Sequence, residues 1–172
     1  MANATDDQEQ IDDMWADDED DATQFAKYLF FNLGDELYGI NIMNVTEIIE
    51  MQRITEVPDL PEFMRGVINL RGKVIPVMDL RSRFGMPDRA YDDRTCIIVA
   101  TIDAAVLGMI VDTVAEVHDV PAQNIESSPS FANSASEQYV EGIARVEERV
   151  TVLIDVRKIL HARDLQAVKS QV

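Results

Sequence analysis

The chain has 172 residues, with 32 acidic against 15 basic side chains, a formal charge of −17 and a pI near 4.3. Nucleic-acid affinity rests on clustered Lys and Arg that release counterions, so this balance argues against nucleic acid as a partner, and no apolar run approaches the ~20 residues of a membrane span. A lone Cys96 forms no internal disulfide and no basic start with an apolar h-region precedes the body, so the expected compartment is a reducing cytoplasm.

Residues 1–22 hold ten acids and no base, while the rest of the chain carries 22 acids against 15 bases. Charge this dense repels itself and buries almost nothing, so 1–22 reads as a disordered acidic tail. Within it Ile11, Met14 and Trp15 fall at helical spacing, the pattern of a short element that folds on a partner, although the composition favours a solvated tail. The folded body is expected over 23–165, with a short C-terminal tail over 166–172.

Tyr28 to Leu33 and Leu37 to Ile42 form a hairpin across Gly34-Asp35. Ile42, Val45 and Ile48/Ile49 follow helical spacing for one or two turns. Arg53 to Val57 reads as a short strand stopped by Pro58, and Leu60 to Arg65 as a turn or brief helix. Gly66 to Leu70 pairs with Lys73 to Asp79 across Arg71-Gly72, and Leu80 to Phe84 is a helical turn closed by Gly85. Cys96 to Ile102 and Ala105 to Val111 make another hairpin, and Val114 to Val120 ends before Pro121. After a polar loop over 123–137, Tyr139 to Val146 pairs with Arg149 to Ile154, and Val156 to Arg163 is a terminal helix. Short, regularly spaced strands with little helix predict a mainly β fold of small barrels or a sandwich.

An internal repeat runs through these strands. Gly39-Ile40-x-Ile42-x-x-Val45-x-Glu47-Ile48 returns, at one constant offset, as Gly108-Met109-x-Val111-x-x-Val114-x-Glu116-Val117. Gly66-Val67 with Val77-x-Asp79-Leu80-Arg81 returns, at a slightly larger constant offset, as Gly142-Ile143 with Leu153-x-Asp155-Val156-Arg157. The second copy therefore carries its extra length in the 123–137 loop. Two such units, each too small to bury a generous core alone, are expected to pack around a shared apolar seam, with halves at roughly 25–90 and 91–160.

No catalytic constellation stands out. His118 and His161 have no ligand partners at metal spacing, and neither a phosphate loop nor an HExxH or GxSxG motif is present. No metal or cofactor is expected. Asp79 and Asp155 each follow a strand and precede a helical turn, the setting of an N-cap; the rival reading is a small hydrolase using the two as a carboxylate pair. Cys96 opens an apolar strand with no neighbour to activate it and reads as a packing residue. The Arg71-Gly72 turn sets a guanidinium at the tip of a rigid hairpin, as a solvated residue or as an anchor for a partner.

The run Gly66-Val67-Ile68-Asn69-Leu70-Arg71-Gly72-Lys73-Val74-Ile75-Pro76-Val77-Met78-Asp79-Leu80-Arg81 closely resembles the signature of the CheW family, the coupling proteins of bacterial and archaeal chemotaxis. Tyr38-Gly39-Ile40-x-Ile42-x-x-Val45-x-Glu47-Ile48, Gly108-Met109-Ile110-Val111-Asp112-x-Val114 and Leu153-Ile154-Asp155-Val156-x-Lys158-Ile159-Leu160 match in order and spacing, so the likeness covers roughly 24–161. The resemblance implies two SH3-like five-stranded β-barrel subdomains around a common hydrophobic core, with short helices. It further implies a non-enzymatic adaptor in the cytoplasm, associated with membrane receptor arrays, that links the cytoplasmic tips of methyl-accepting chemoreceptors to the regulatory domain of the histidine kinase CheA. Other CheW-like domains are further implied array partners, and a coupling role in type IV pilus or second-messenger control is the alternative within the family.

By the same resemblance Val45, Glu47, Asn69 and Arg71 fall in the receptor-facing groove, beside Gly66. Thr95, Cys96, Gly108 and Val114 fall on a kinase-facing edge, where an exposed strand meets another barrel. The opposite charges at 47 and 71 predict a surface ion pair that orients Arg71. The acidic extension with Trp15 departs from the family pattern.

Overall fold

The computed structural model describes residues 25–127 and 139–159. The expectations for the acidic tail, Trp15, His161, most of the 123–137 loop and the last residues lie outside this range.

Eleven strands form two sheets among the described residues. The first sheet runs β8 (Thr113–Pro121), β1 (Phe25–Leu33), β2 (Glu36–Asn41), β11 (Arg149–Ile154), β10 (Val140–Val146) and the two-residue β9 (Ile125–Glu126). The second runs β3 (Val45–Glu50), β6 (Cys96–Ile102), β7 (Ala105–Val111), β5 (Lys73–Asp79) and β4 (Met64–Leu70). Two one-turn helices, α1 (Leu80–Arg83) and α2 (Val156–Ile159), follow β5 and β11. The fold is mainly β and comprises two SH3-like subdomains, the first carrying β9 as a sixth strand.

The repeat is physically present, and it is strand-exchanged. Val77 of β5 pairs in parallel with Gly108 of β7, and its counterpart Leu153 of β11 pairs in parallel with Gly39 of β2. Both sheets therefore repeat one order, yet each draws strands from both halves of the chain. The halves at 25–90 and 91–160 are units of sequence, whereas the sheets are β3 to β7 on one side and β1, β2 and β8 to β11 on the other.

Burial follows from this exchange. In β6, Ile97 and Val99 point into one barrel beside Ile68, Ile75, Val77 and Ile110, while Ile98 and Ala100 point into a seam shared by both sheets. In β1, Tyr28 and Phe30 fill the other barrel with Val120, Ala144 and Leu153, and Leu29, Phe31 and Leu33 enter the seam. Strands buried on both faces read as continuous apolar runs, which is why β1 and β6 stand out in the sequence.

Two expectations fail here. Ile42–Asn44 is a single 3-10 turn capped by Asn41, and Val45–Glu50 is a strand whose residues alternate between half-buried and exposed. The β-branched run Val45-Thr46-Glu47-Ile48-Ile49 prefers that pleated surface to a helix, and pairing with β6 decides it. Arg53 to Val57 forms no strand beyond one bridge, in which Thr55 and Val67 exchange backbone bonds of 2.8 and 2.9 Å. Asp79 caps α1 through the Arg81 and Ser82 N–H groups, and Asp155 accepts from the Arg157 N–H at the start of α2. The two carboxylates serve separate helices, which removes the carboxylate-pair hydrolase reading.

Candidate functional site

The β4–β5 hairpin turns on Arg71 and Gly72, both at positive φ (52° and 85°), the geometry that matches the twist of the flanking strands. Asn69 Oδ1 accepts the Gly72 N–H at 2.9 Å and holds the turn shut. Across the barrel, β3 is bulged between Val45 and Glu47, opposite Ala100 and Val99 of β6. A bulge re-aims the side chains that follow it. Glu47 thus meets the hairpin tip: Arg71 donates through Nη1 to Oε1 at 3.0 Å and through Nη2 to Oε2 at 2.8 Å. This planar, bidentate fork fixes a guanidinium that is still 73% exposed on a carboxylate only 23% exposed. Glu47's hydrogen bonds and charge push the Arg71 guanidinium further up from its ordinary value, so it is charged throughout the accessible pH range. Val45 stands half-buried at the start of β3, packed on the seam. The structure therefore brings Glu47, Asn69 and Arg71 into one rigid unit, with Val45 close by on the same strand as Glu47.

The second predicted group is less coherent. Thr95 is buried before β6, its hydroxyl accepting the Asp92 N–H at 2.9 Å. Cys96 donates its thiol to the Arg94 carbonyl at 3.2 Å and faces the backbone N–H of Val114, which lies near the start of the outer strand β8 and packs on the seam. Gly108 lies elsewhere, paired to β6 on one side and β5 on the other. Strands β6 and β7 are interior, so the expected exposed strand edge exists along β8 and not at Cys96 or Gly108. Gly108 serves packing inside: a Cβ there would stand 3.0 Å from Ile97 Cγ2 and push that side chain back by a few tenths of an ångström.

Burial raises the Cys96 thiol above its ordinary value, with the Glu50 charge adding to the rise against the Val114 N–H. A raised thiol holds less thiolate at neutral pH. Labelling of Cys96 by a disulfide reagent at neutral pH should therefore run at least about tenfold slower than labelling of free cysteine; a rate equal to the free thiol's would contradict this half-buried placement.

Sequence reasoning missed the polar clasp of the seam. Asp112, 9% exposed, accepts Arg81 Nε at 2.8 Å and Nη2 at 2.7 Å, Arg89 Nη1 at 3.1 Å and the Gly34 N–H at 2.7 Å. It ties α1 and the turn between β1 and β2 to the end of β7, and so joins the two sheets. Nearby, Asp79 accepts from Tyr91 Oη at 2.8 Å and Arg65 Nη2 at 3.4 Å. Arg83 lies between the rings of Phe63 and Tyr139, 4.6 and 4.5 Å from their centroids, and donates to the Ile159 carbonyl. Phe63 and Tyr139 are repeat counterparts, so one cation is shared by both copies. The signal was present: Asp112 is the charged residue that directly follows an apolar strand.

His118 is held by Glu116 at 2.7 Å and by the Phe30 ring. Among the described residues no group of three or more His, Cys, Asp or Glu side chains is placed to hold a metal, and no helix is long and apolar enough to cross a membrane.

The family model for the CheW-like domain matches residues 27–164. The chemotaxis protein CheW of Klebsiella aerogenes is 36% identical over 142 residues, covering 83% of this chain and 86% of that protein. CheW of Bacillus subtilis is 33% identical over 141 residues, covering 82% and 90%. The crystal structure of the scaffolding protein TtCheW from Thermoanaerobacter tengcongensis superposes with a TM-score of 0.75 at 37% identity, covering 81% of this chain and 94% of that one. With the double-barrel fold, the strand-exchanged repeat and the capped Asp79 helix already in place, this agreement along nearly the whole body shows that the chain belongs to the CheW family and is a chemotaxis scaffold protein.

Proposed function

We propose that this scaffold couples methyl-accepting chemoreceptors to the histidine kinase CheA without catalysing a reaction itself, working in the cytoplasm at membrane receptor arrays. The observation that carries the reading is the Glu47–Arg71 fork: a rigid, exposed guanidinium on a hairpin tip whose turn is locked by Asn69. A pre-oriented planar donor loses little freedom when it meets a partner, so it suits the receptor-facing anchor, with Val45 as its apolar neighbour. The kinase regulatory domain is assigned to the face bearing Cys96 and Val114, supported from within by the buried Thr95, where the outer strand β8 supplies the free edge. Gly108 contributes from beneath by letting β5 and β6 approach. Other CheW-like domains are further array partners. Signalling surfaces of this kind bury about 1,200 Å² or less, so binary affinities are weak and arrays gain by multivalency.

The test is an amide chemical-shift titration with a receptor-tip fragment and, separately, with the kinase regulatory domain. Two separate sets of shifts are expected, and Arg71→Ala should keep the fold while weakening receptor-fragment binding about tenfold or more. Glu47→Ala, which leaves the guanidinium unoriented, should weaken it in the same direction. Receptor binding unchanged in both folded variants would defeat the reading.

A further inference from the structure

The repeat permits a comparison of each polar site with its counterpart. In the first copy Arg65, Asp79 and Arg81 meet Asp112, and the site is closed from within: Arg81 grips Asp112, Arg65 reaches Asp79, and Tyr91 and Arg89 cover both carboxylates. The two repeat offsets carry these four positions to Glu141, Asp155, Arg157 and Met43. Those four, with Asn41 and Asn44, line a surface pocket of about 290 Å³. Two of the four have changed character: an arginine has become Glu141, and the gripping carboxylate has become Met43.

The consequences are visible in the geometry. Among the described residues the Arg157 guanidinium has no carboxylate partner, while Asp155 keeps only its helix-capping bond to the Arg157 N–H. Glu141 accepts the Tyr28 hydroxyl at 3.3 Å and faces Asp155, so two carboxylates meet where the first copy sets a guanidinium against one. Glu141 is exposed at its edge, yet partial desolvation and the nearby Asp155 charge raise its carboxyl above the ordinary value against the Tyr28 hydrogen bond and the Lys158 charge. Met43 is 87% exposed on the 3-10 turn, the most exposed of the large hydrophobic residues described. An exposed, adaptable thioether chain beside an anionic notch suits an amphipathic partner.

The geometry points to a docking notch for a basic side chain of the receptor-facing partner, an Arg or Lys that enters between Glu141 and Asp155 as Arg65 meets Asp79, while an aliphatic neighbour of that side chain packs on Met43. The turn bearing Met43 runs directly into β3, where Val45 and Glu47 follow, so the notch adjoins the proposed receptor anchor along the chain. This inference rests on the receptor-binding reading above and extends it from one anchor to two. Arg71 supplies a cation to the partner, and the notch receives one from it.

The test uses the full chain with methyl-labelled methionine and the receptor-tip fragment. The Met43 methyl resonance should move on titration together with the Arg71 side-chain signals. Glu141→Arg, which returns the first copy's arginine, and Met43→Asp, which returns the partner of Arg157, should each close the notch from within. Met43→Asp should keep or raise the melting temperature, Glu141→Arg should lower it a little by removing the acceptor of the Tyr28 hydroxyl, and both should weaken receptor-fragment binding about tenfold. Glu141→Gln, which keeps the side-chain shape, should weaken binding less and flatten its salt dependence. Arg71 signals that shift while Met43 stays still, or binding unaffected in all three folded variants, would overturn the notch and leave the coupling function standing. A Met43 shift seen only with the kinase regulatory domain would overturn its assignment to the receptor face. No shift at either place with either partner would overturn the coupling reading itself, and the notch with it.

Discussion

Gly66→Ala should destabilise the protein by about 4 kcal/mol, whereas Gly142→Ala at the repeat counterpart should cost about 1–2 kcal/mol. Gly66 lies at φ 140°, and a Cβ there would fall 2.0 Å from the Thr55 carbonyl oxygen and 3.1 Å from Glu56 Cα. Every atom it meets is backbone, so no rotamer change relieves the clash. The chain at Thr55 must retreat, which breaks the two bonds that close this barrel on β4. Gly142 overlaps less, meeting the Glu126 carbonyl oxygen at 2.8 Å and Ile125 Cγ2 at 3.0 Å, and it does so at an unstrained φ. Domains of this size are stable by about 5–15 kcal/mol, so the first variant loses a large fraction of its margin and the second does not. Urea unfolding of the two variants checks the difference; equal losses would show that the close approach at Thr55 is not limiting.

Asp112→Ala should cost about 3 kcal/mol, because it strands the largely buried Arg81 guanidinium and removes the acceptor for the Gly34 N–H. A double-mutant cycle with Arg81→Met should return a coupling of about 2 kcal/mol. The clasp also fixes a pH dependence. Burial alone would raise the Asp112 carboxyl, but the Arg81 and Gly34 hydrogen bonds and the charges of Arg81 and Arg89 outweigh it and hold the group below the usual carboxylate range. A carboxyl lowered on folding contributes stability that is complete above its unfolded value, about 3.9, and is lost as pH falls through its folded value. The stability gap between wild type and Asp112→Ala should therefore be constant at neutral pH and narrow only in acid below about pH 4. A gap that narrows between neutral pH and pH 5 would assign the effect to another group.

Much of this architecture was legible because strands buried on both faces advertise themselves: Cys96 to Ile102, Ala105 to Val111 and Arg149 to Ile154 keep their sequence-derived bounds. β3 was not, because Ile42, Val45 and Ile48 happen to fall at helical spacing, and only pairing with β6 settles the ambiguity. The repeat was legible from its glycines and Asp-x-Arg ends, but an offset in sequence does not say which sheet a strand joins. The Glu47–Arg71 pair followed from the opposite charges at the two positions, and its forked geometry needed the bulge at β3. Asp112 and Arg81 are 31 residues apart and only the seam brings them together. For Gly108, a glycine serving close strand packing inside a sheet and one serving a partner look the same in sequence.

The exchange of strands between the copies sets an order of assembly on the growing chain. All five strands from β3 to β7 have been synthesised once Val111 has emerged, so the barrel that starts second can finish first. The β1–β2 hairpin, the first of the described strands to be made, waits with one flank of β2 open until β11, the last of them, arrives to pair with it. During that wait Leu37 to Ile40 is an unpaired apolar edge, the kind of surface that recruits a neighbouring chain. The molecule is thus most exposed to mispairing between copies late in its own synthesis, and a fragment ending before Val140 should associate with a separately supplied β10–β11 hairpin instead of folding alone.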